Sequence, residues 1–145
     1  MKRTMLFFVV AATVLATVAC GDDDDDSAAE TGDVRISQIG GVAELATHAY
    51  AATRGEGLLD YLAANIAANC TKEDIKRALA EEPVPTGFKT IKDVVFDGDD
   101  RATATVVVIT ADGDREQQWS FIREGDDSWR IVEIPSLSEE DCAAQ

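Results

Sequence analysis

The chain has 145 residues, 28 acidic against 13 basic, for a formal charge of −15 at pH 7. That length holds one domain with a single modest core, and that charge excludes nucleic acid as a partner, because phosphate backbones repel it. The acidity itself reads as a solubilising property of the surface rather than as chemistry.

In chain order, Lys2 and Arg3 precede an apolar, uncharged run of 15 residues (5–19), which ends in the small residue Ala19. A basic start, a short apolar stretch and a small residue at the cut predict a signal peptide over residues 1–19. The run is too short to be a spanning helix, which needs about 20 apolar residues. Removing it leaves 11 basic residues against 28 acidic ones, a charge of −17. Thr17-Val18-Ala19-Cys20 resembles the bacterial lipobox, in which the cysteine is lipidated and becomes the mature N-terminus. The resemblance implies that Cys20 anchors the protein to the extracytoplasmic face of a bacterial membrane; the plainer alternative is an ordinary signal peptide with Cys20 lost or left free. Gly21 to Asp33, with aspartates at every position from 22 to 26, has no apolar periodicity. It is expected to be an unordered, self-repelling tether reaching at most about 45 Å.

With Cys20 assigned to lipid, Cys70 and Cys142 are the remaining cysteines of an exported chain. An internal disulfide between them is the favoured reading, against two free thiols or an intermolecular bridge through Cys142. A single domain is expected over residues 34–142.

Within it, Val34 to Ile39 reads as a short strand or as the lead into a helix. From Gly41 the apolar period becomes helical, with Val42, Leu45, Ala46, Ala49 and Thr53 on one stripe and Thr47 off it. Gly55 and Gly57 interrupt that helix. A second helix is predicted through Leu58, Leu59, Leu62 and Ile66 to about Asn69. A third is predicted over Lys72–Glu82, capped by Thr71 with acids in its first turn and stopped before Pro83 and Pro85. Four strands follow, at Phe88–Phe96, Ala102–Ala111, Glu116–Arg123 and Ser128–Ile134. They are rich in β-branched and aromatic residues and divided by Asp/Gly turns short enough for an antiparallel meander. The second is apolar on both faces, as a central strand should be.

Helices followed by a meander predict an α+β fold, with three N-terminal helices packed on a four-stranded sheet. This order, with the closing Gly125-Asp126-Asp127-Ser128-Trp129-Arg130-Ile131-Val132, resembles the nuclear transport factor two-like proteins, a superfamily that includes ketosteroid-isomerase-like enzymes and many small lipoproteins. The resemblance covers roughly residues 41–135 and implies a curved, cone-like sheet wrapping helices around a cavity. Members bind small molecules, dimerise or, in the isomerases, use a carboxylate base with a tyrosine donor.

The candidate residues follow from that frame. Tyr50, Tyr61, Trp119 and Phe121 are the candidate cavity lining, with core packing as the plainer reading for Trp119 and Phe121, which share one strand face. Asp93, the one acid inside a predicted strand, reads as an outward strand charge. Glu44 and His48 read as a surface i, i+4 pair rather than metal ligands. The Asp/Gly turns lack the calcium-loop pattern and read as hairpin chemistry. No nucleophile with a base, phosphate-binding glycine loop or redox Cys-x-x-Cys is present, so no catalytic residue, metal or cofactor is assigned. The expected function is a membrane-anchored, non-catalytic ligand-binding or accessory module of the cell envelope, taking a small apolar ligand or an envelope protein. The alternatives are an isomerase- or dehydratase-type enzyme with an apolar substrate in the cavity, and an assembly protein that forms a homodimer through its sheet.

Overall fold

The computed structural model describes residues 23–143, with side chains over 34–142. The signal-peptide and lipidation readings therefore lie outside the described residues. Among the described residues four helices and a 3-10 turn accompany one sheet: α1 (Asp23–Thr53), a 3-10 turn (Glu56–Tyr61), α2 (Ala64–Ala67), α3 (Lys72–Ala78), β1 (Gly87–Asp97), β2 (Arg101–Thr110), β3 (Gly113–Arg123), β4 (Trp129–Glu133) and α4 (Glu139–Ala143). The sheet is antiparallel throughout in the order β1-β2-β3-β4, the meander that the short Asp/Gly turns predict. No helix among the described residues is long and apolar enough to cross a membrane.

The helical half departs from the sequence expectation in three places. First, α1 takes in the backbone from Asp23 and the stretch Val34–Ile39, and it buries a stripe one step away from the predicted one. Ile39, Ala43, Ala46 and Tyr50, spaced four, three and four apart, face the sheet. Thr47 is fully buried beside them because its hydroxyl donates to the Ala43 carbonyl at 2.7 Å, so the side chain brings no unsatisfied polar atom into the core. Leu45, predicted to be core, stands 56% exposed on the opposite side.

Second, the predicted second helix is split. Leu62 and Ala63 are extended, with ψ of 153° and 146°. Leu62 forms a parallel bridge to Ile131, and the Ala63 N–H donates to the Ile131 carbonyl at 2.8 Å. A long-range strand contact thus overrides the helical spacing of Leu58, Leu62 and Ile66, whose burial it preserves. Gly55 makes the preceding turn possible. It lies at φ 106°, and a Cβ there would come within 3.0 Å of Leu79 Cδ1. Third, α3 ends at Ala78 rather than Glu82. Its start is as expected: the Thr71 hydroxyl accepts from the Asp74 N–H at 3.2 Å, and the Asp74 carboxylate accepts from the Thr71 N–H at 2.9 Å.

Each strand of the sheet puts one face on the core. Ala102, Ala104, Val106 and Val108 alternate along β2 toward α1, and Trp119 and Phe121 of β3 stand opposite Ala104 and Ala102. Small residues opposite large ones let the two aromatic rings lie side by side, centroids 6.3 Å apart, within the packed interior. The outer face is tied by cross-strand pairs. Gln118 Nε2 donates to Thr105 Oγ1 at 2.7 Å, Lys92 meets Glu116 at 2.5 Å, and Lys89 pairs with Asp114.

Edge strand β1 carries two irregularities in register, between Phe88 and Thr90 and between Lys92 and Val95. Asp93 occupies the second at φ 51° and is exposed, an irregularity that, with Lys89 and Lys92, discourages pairing with another strand.

After β4 the chain turns back into α4, an element the sequence reading does not contain. Ser138 starts it, its N–H donating to Asp141 at 2.7 Å. The helix brings Cys142 to disulfide distance of Cys70, with Cα atoms 4.7 Å apart. Both cysteines are buried, so the end of the described chain is held against the α2–α3 junction.

Candidate functional site

The stripe that α1 does not bury becomes one wall of a groove. Gln38, Gly41, Val42 and Leu45 recur at three- and four-residue spacing along one flank of α1, with Val42 partly packed against the core, and face Tyr61 of the 3-10 turn and Asp127, Ser128, Trp129 and Arg130 at and before the start of β4. The open groove has a volume of about 410 Å³, within the roughly 300–1,000 Å³ of small-ligand sites. Its surface is mainly apolar, contributed by Val42, Leu45, Tyr61 and Trp129.

Local chemistry fixes the β4 side. Asp127 takes φ 63° in the turn and accepts from Arg123 Nη2 at 2.9 Å. Asp126 accepts from the Ser128 N–H at 3.1 Å and from the Ser128 hydroxyl. Those bonds, the hydroxyl's first, hold its carboxyl below the usual aspartate range. Arg130 Nη1 donates to the Asp60 carbonyl at 2.9 Å, and its Nε lies 3.8 Å from Glu124 Oε2. Glu124 also accepts from the Ala64 N–H at 2.7 Å, which ties α2 to the β3–β4 turn. The groove floor is therefore braced by side chains from β3, the β3–β4 turn and β4, bonded to backbone groups of the 3-10 turn and α2. Trp129 is buried against Phe96, ring centroids 6.1 Å apart, and its indole N–H has no acceptor among the described residues.

The four sequence-predicted lining residues are dispersed. Tyr61 lines the groove. Trp119 and Phe121 are brought together in the core, where Trp119 Nε1 donates to Gln117 Oε1 at 3.0 Å; Phe121 also borders a smaller hollow of about 210 Å³ with Val95 and Val132. Tyr50 is core on α1. Its hydroxyl has no partner among the described residues, and burial, with a smaller contribution from Glu82, pushes its pKa up to about 12.

Among the remaining candidates, Glu44 and His48 form the exposed i, i+4 contact expected, at 3.9 Å. No group of three or more potential metal ligands occurs among the described residues. The buried carboxylate, Asp74, accepts from Thr71 and pairs with Arg77 at 3.2 Å, holding the start of α3. A further hollow of about 280 Å³ lies among Glu82, Arg115, Glu116, Gln117 and Pro135, with a predominantly polar rim.

Sequence reasoning missed Leu45 as a surface residue, and Val42, Gly41 and Trp129 as groove lining. One signal was available: α1 carries apolar residues on two sides, more than a single buried stripe requires. No protein-family profile, curated protein or solved structure matches the chain.

Proposed function

We propose that this protein is a non-catalytic binding module of the bacterial cell envelope, exported, anchored by a lipid on Cys20, and offering the α1–β4 groove to an apolar ligand or partner surface. The observation that carries this reading is the groove itself. Leu45 exposes more than half of its surface beside Val42, Tyr61 and Trp129, on a floor braced by Arg130 and Glu124. An exposed apolar surface set in an otherwise strongly acidic molecule is characteristic of an interaction site. Cys70 and Cys142 at disulfide distance support export, since such pairs persist in oxidising compartments. The cone-like form of the transport-factor-two-like proteins belongs to the same proposal; the one-sided core and the two irregularities on β1, which bend a strand, support it.

The anchor is tested by expressing the full chain in a bacterium. The wild type should partition with membranes and yield an acyl-bearing N-terminal peptide, and Cys20→Ser should abolish both; an unmodified wild-type N-terminus would contradict it. The groove is tested with the neutral apolar fluorophore N-phenyl-1-naphthylamine and the Cys20→Ser chain. A saturable rise in emission is expected, and a flat titration would count against a binding role.

A further inference from the structure

We infer that the natural occupant of the α1–β4 groove is a basic amphipathic helix of a partner protein. The inference rests on the groove being a binding surface and adds which chemistry fills it. Three features select that chemistry. The α1 wall from Gln38 to Leu45 is two turns long, about 10 Å at the helical rise. Apolar anchors at i, i+4 and i+7 of a second helix would match it. Gly41 has no atom within 4 Å of where a Cβ would stand, so a second backbone can approach there without meeting a side chain. The rim, finally, is negative. Asp127 lines the groove, Asp126 holds the lining residue Ser128 through its carboxylate, and Glu124 lies 3.8 Å from the lining residue Arg130.

The cations nearby do not cancel that rim for an incoming ligand. Arg130 and Arg123 offset Glu124 and Asp127, their partners, and Asp126 is left as the acid in excess beside the groove. The Ser128 bonds favour the ionised form of Asp126. A formal charge of −15 over the whole chain adds a long-range attraction for cationic segments. An anionic amphiphile is repelled by the rim, and a neutral apolar molecule uses only the floor. Lysines or arginines flanking an apolar helix face use both.

The test uses the full chain carrying Cys20→Ser and two synthetic helical peptides of equal length, one of leucine and lysine and one of leucine and glutamine with the same apolar face. Binding is followed by fluorescence anisotropy. Two variants each add one negative charge: Leu45→Glu inside the groove, and Val95→Glu at an exposed residue of β1 that borders a different hollow. The leucine–lysine peptide should bind saturably, weaken on raising salt, and lose about tenfold or more in affinity on Leu45→Glu while Val95→Glu leaves it unchanged or tighter. The leucine–glutamine peptide should bind about tenfold more weakly than its basic counterpart and remain sensitive to Leu45→Glu.

Equal affinity for both peptides, each lost on Leu45→Glu, would overturn the basic partner and leave the groove as a binding surface. Tighter binding of the basic peptide to both variants would overturn groove docking, since only net charge would then matter. Absence of binding by either peptide would overturn both.

Discussion

The two tryptophans are almost equally buried, Trp119 at 1% and Trp129 at 3% exposed, yet they sit in different kinds of place. Trp119 lies in the closed core beside Phe121 with its N–H bonded to Gln117. Trp129 underlies an open groove, its N–H without an acceptor among the described residues, with the exposed Leu45 on the facing wall. Burial alone therefore does not separate core from site. What separates them is whether polar atoms are satisfied and whether the neighbouring apolar residues are themselves covered.

The largest effects should fall on the closed side. Phe121→Ala removes a fully buried ring and should cost about 3–5 kcal/mol in denaturant unfolding, whereas Leu45→Ala, on the groove wall, should stay within about 0.5 kcal/mol of wild type. Comparable losses from the two would break the contrast. Removing the Cys70–Cys142 link by Cys142→Ser should cost roughly 4 kcal/mol by the chain-entropy account of a 72-residue separation, read as a lower unfolding midpoint with the groove still able to bind.

Next come the tryptophans themselves. Trp119→Phe and Trp129→Phe remove similar volume, but the first leaves Gln117 Oε1 without its donor and the second removes an unpaired one. Trp119→Phe should therefore be the more destabilising, by about 1–3 kcal/mol. An equal or reversed order would contradict the different roles assigned to the two indoles.

Tyr50→Phe should be smaller still and specific in pH. The Tyr50 hydroxyl is held neutral in the fold, with a pKa of about 12 against an unfolded value of 10.0. Below pH 10 the shift leaves stability independent of pH, and from pH 10 toward 12 stability falls, because the unfolded chain releases that proton first. The variant should flatten the alkaline fall in stability over that window and, having no unpartnered hydroxyl to bury, should match or exceed the wild type at neutral pH. An unchanged alkaline profile would remove Tyr50 as its source.

The sheet was legible because its signals are local. Asp97-Gly98, Asp112-Gly113 and Asp126-Asp127 supply the positive φ that tight turns need at Gly98, Gly113 and Asp127, and the segments between them alternate as strands do. Thr71 was legible as a cap for the same reason. The phase of α1 was not, because Thr47 hides its polarity by bonding within its own helix and Leu45 stays exposed against its type. Nor was the break at Leu62 and Ala63, which depends on Ile131 far along the chain. The groove was hidden in turn, since its walls come from residues placed by both of those features. Tyr61, at the end of the 3-10 turn, is the one of the four candidate lining residues that falls in it.

The most direct test is therefore a comparison of N-phenyl-1-naphthylamine titrations on the Cys20→Ser chain with and without Leu45→Glu or Val95→Glu. Leu45→Glu should remove the saturable emission while circular dichroism and the unfolding midpoint hold steady, and Val95→Glu should retain it. Emission that survives Leu45→Glu, or falls equally with Val95→Glu, would contradict the α1–β4 groove as the binding surface of this protein.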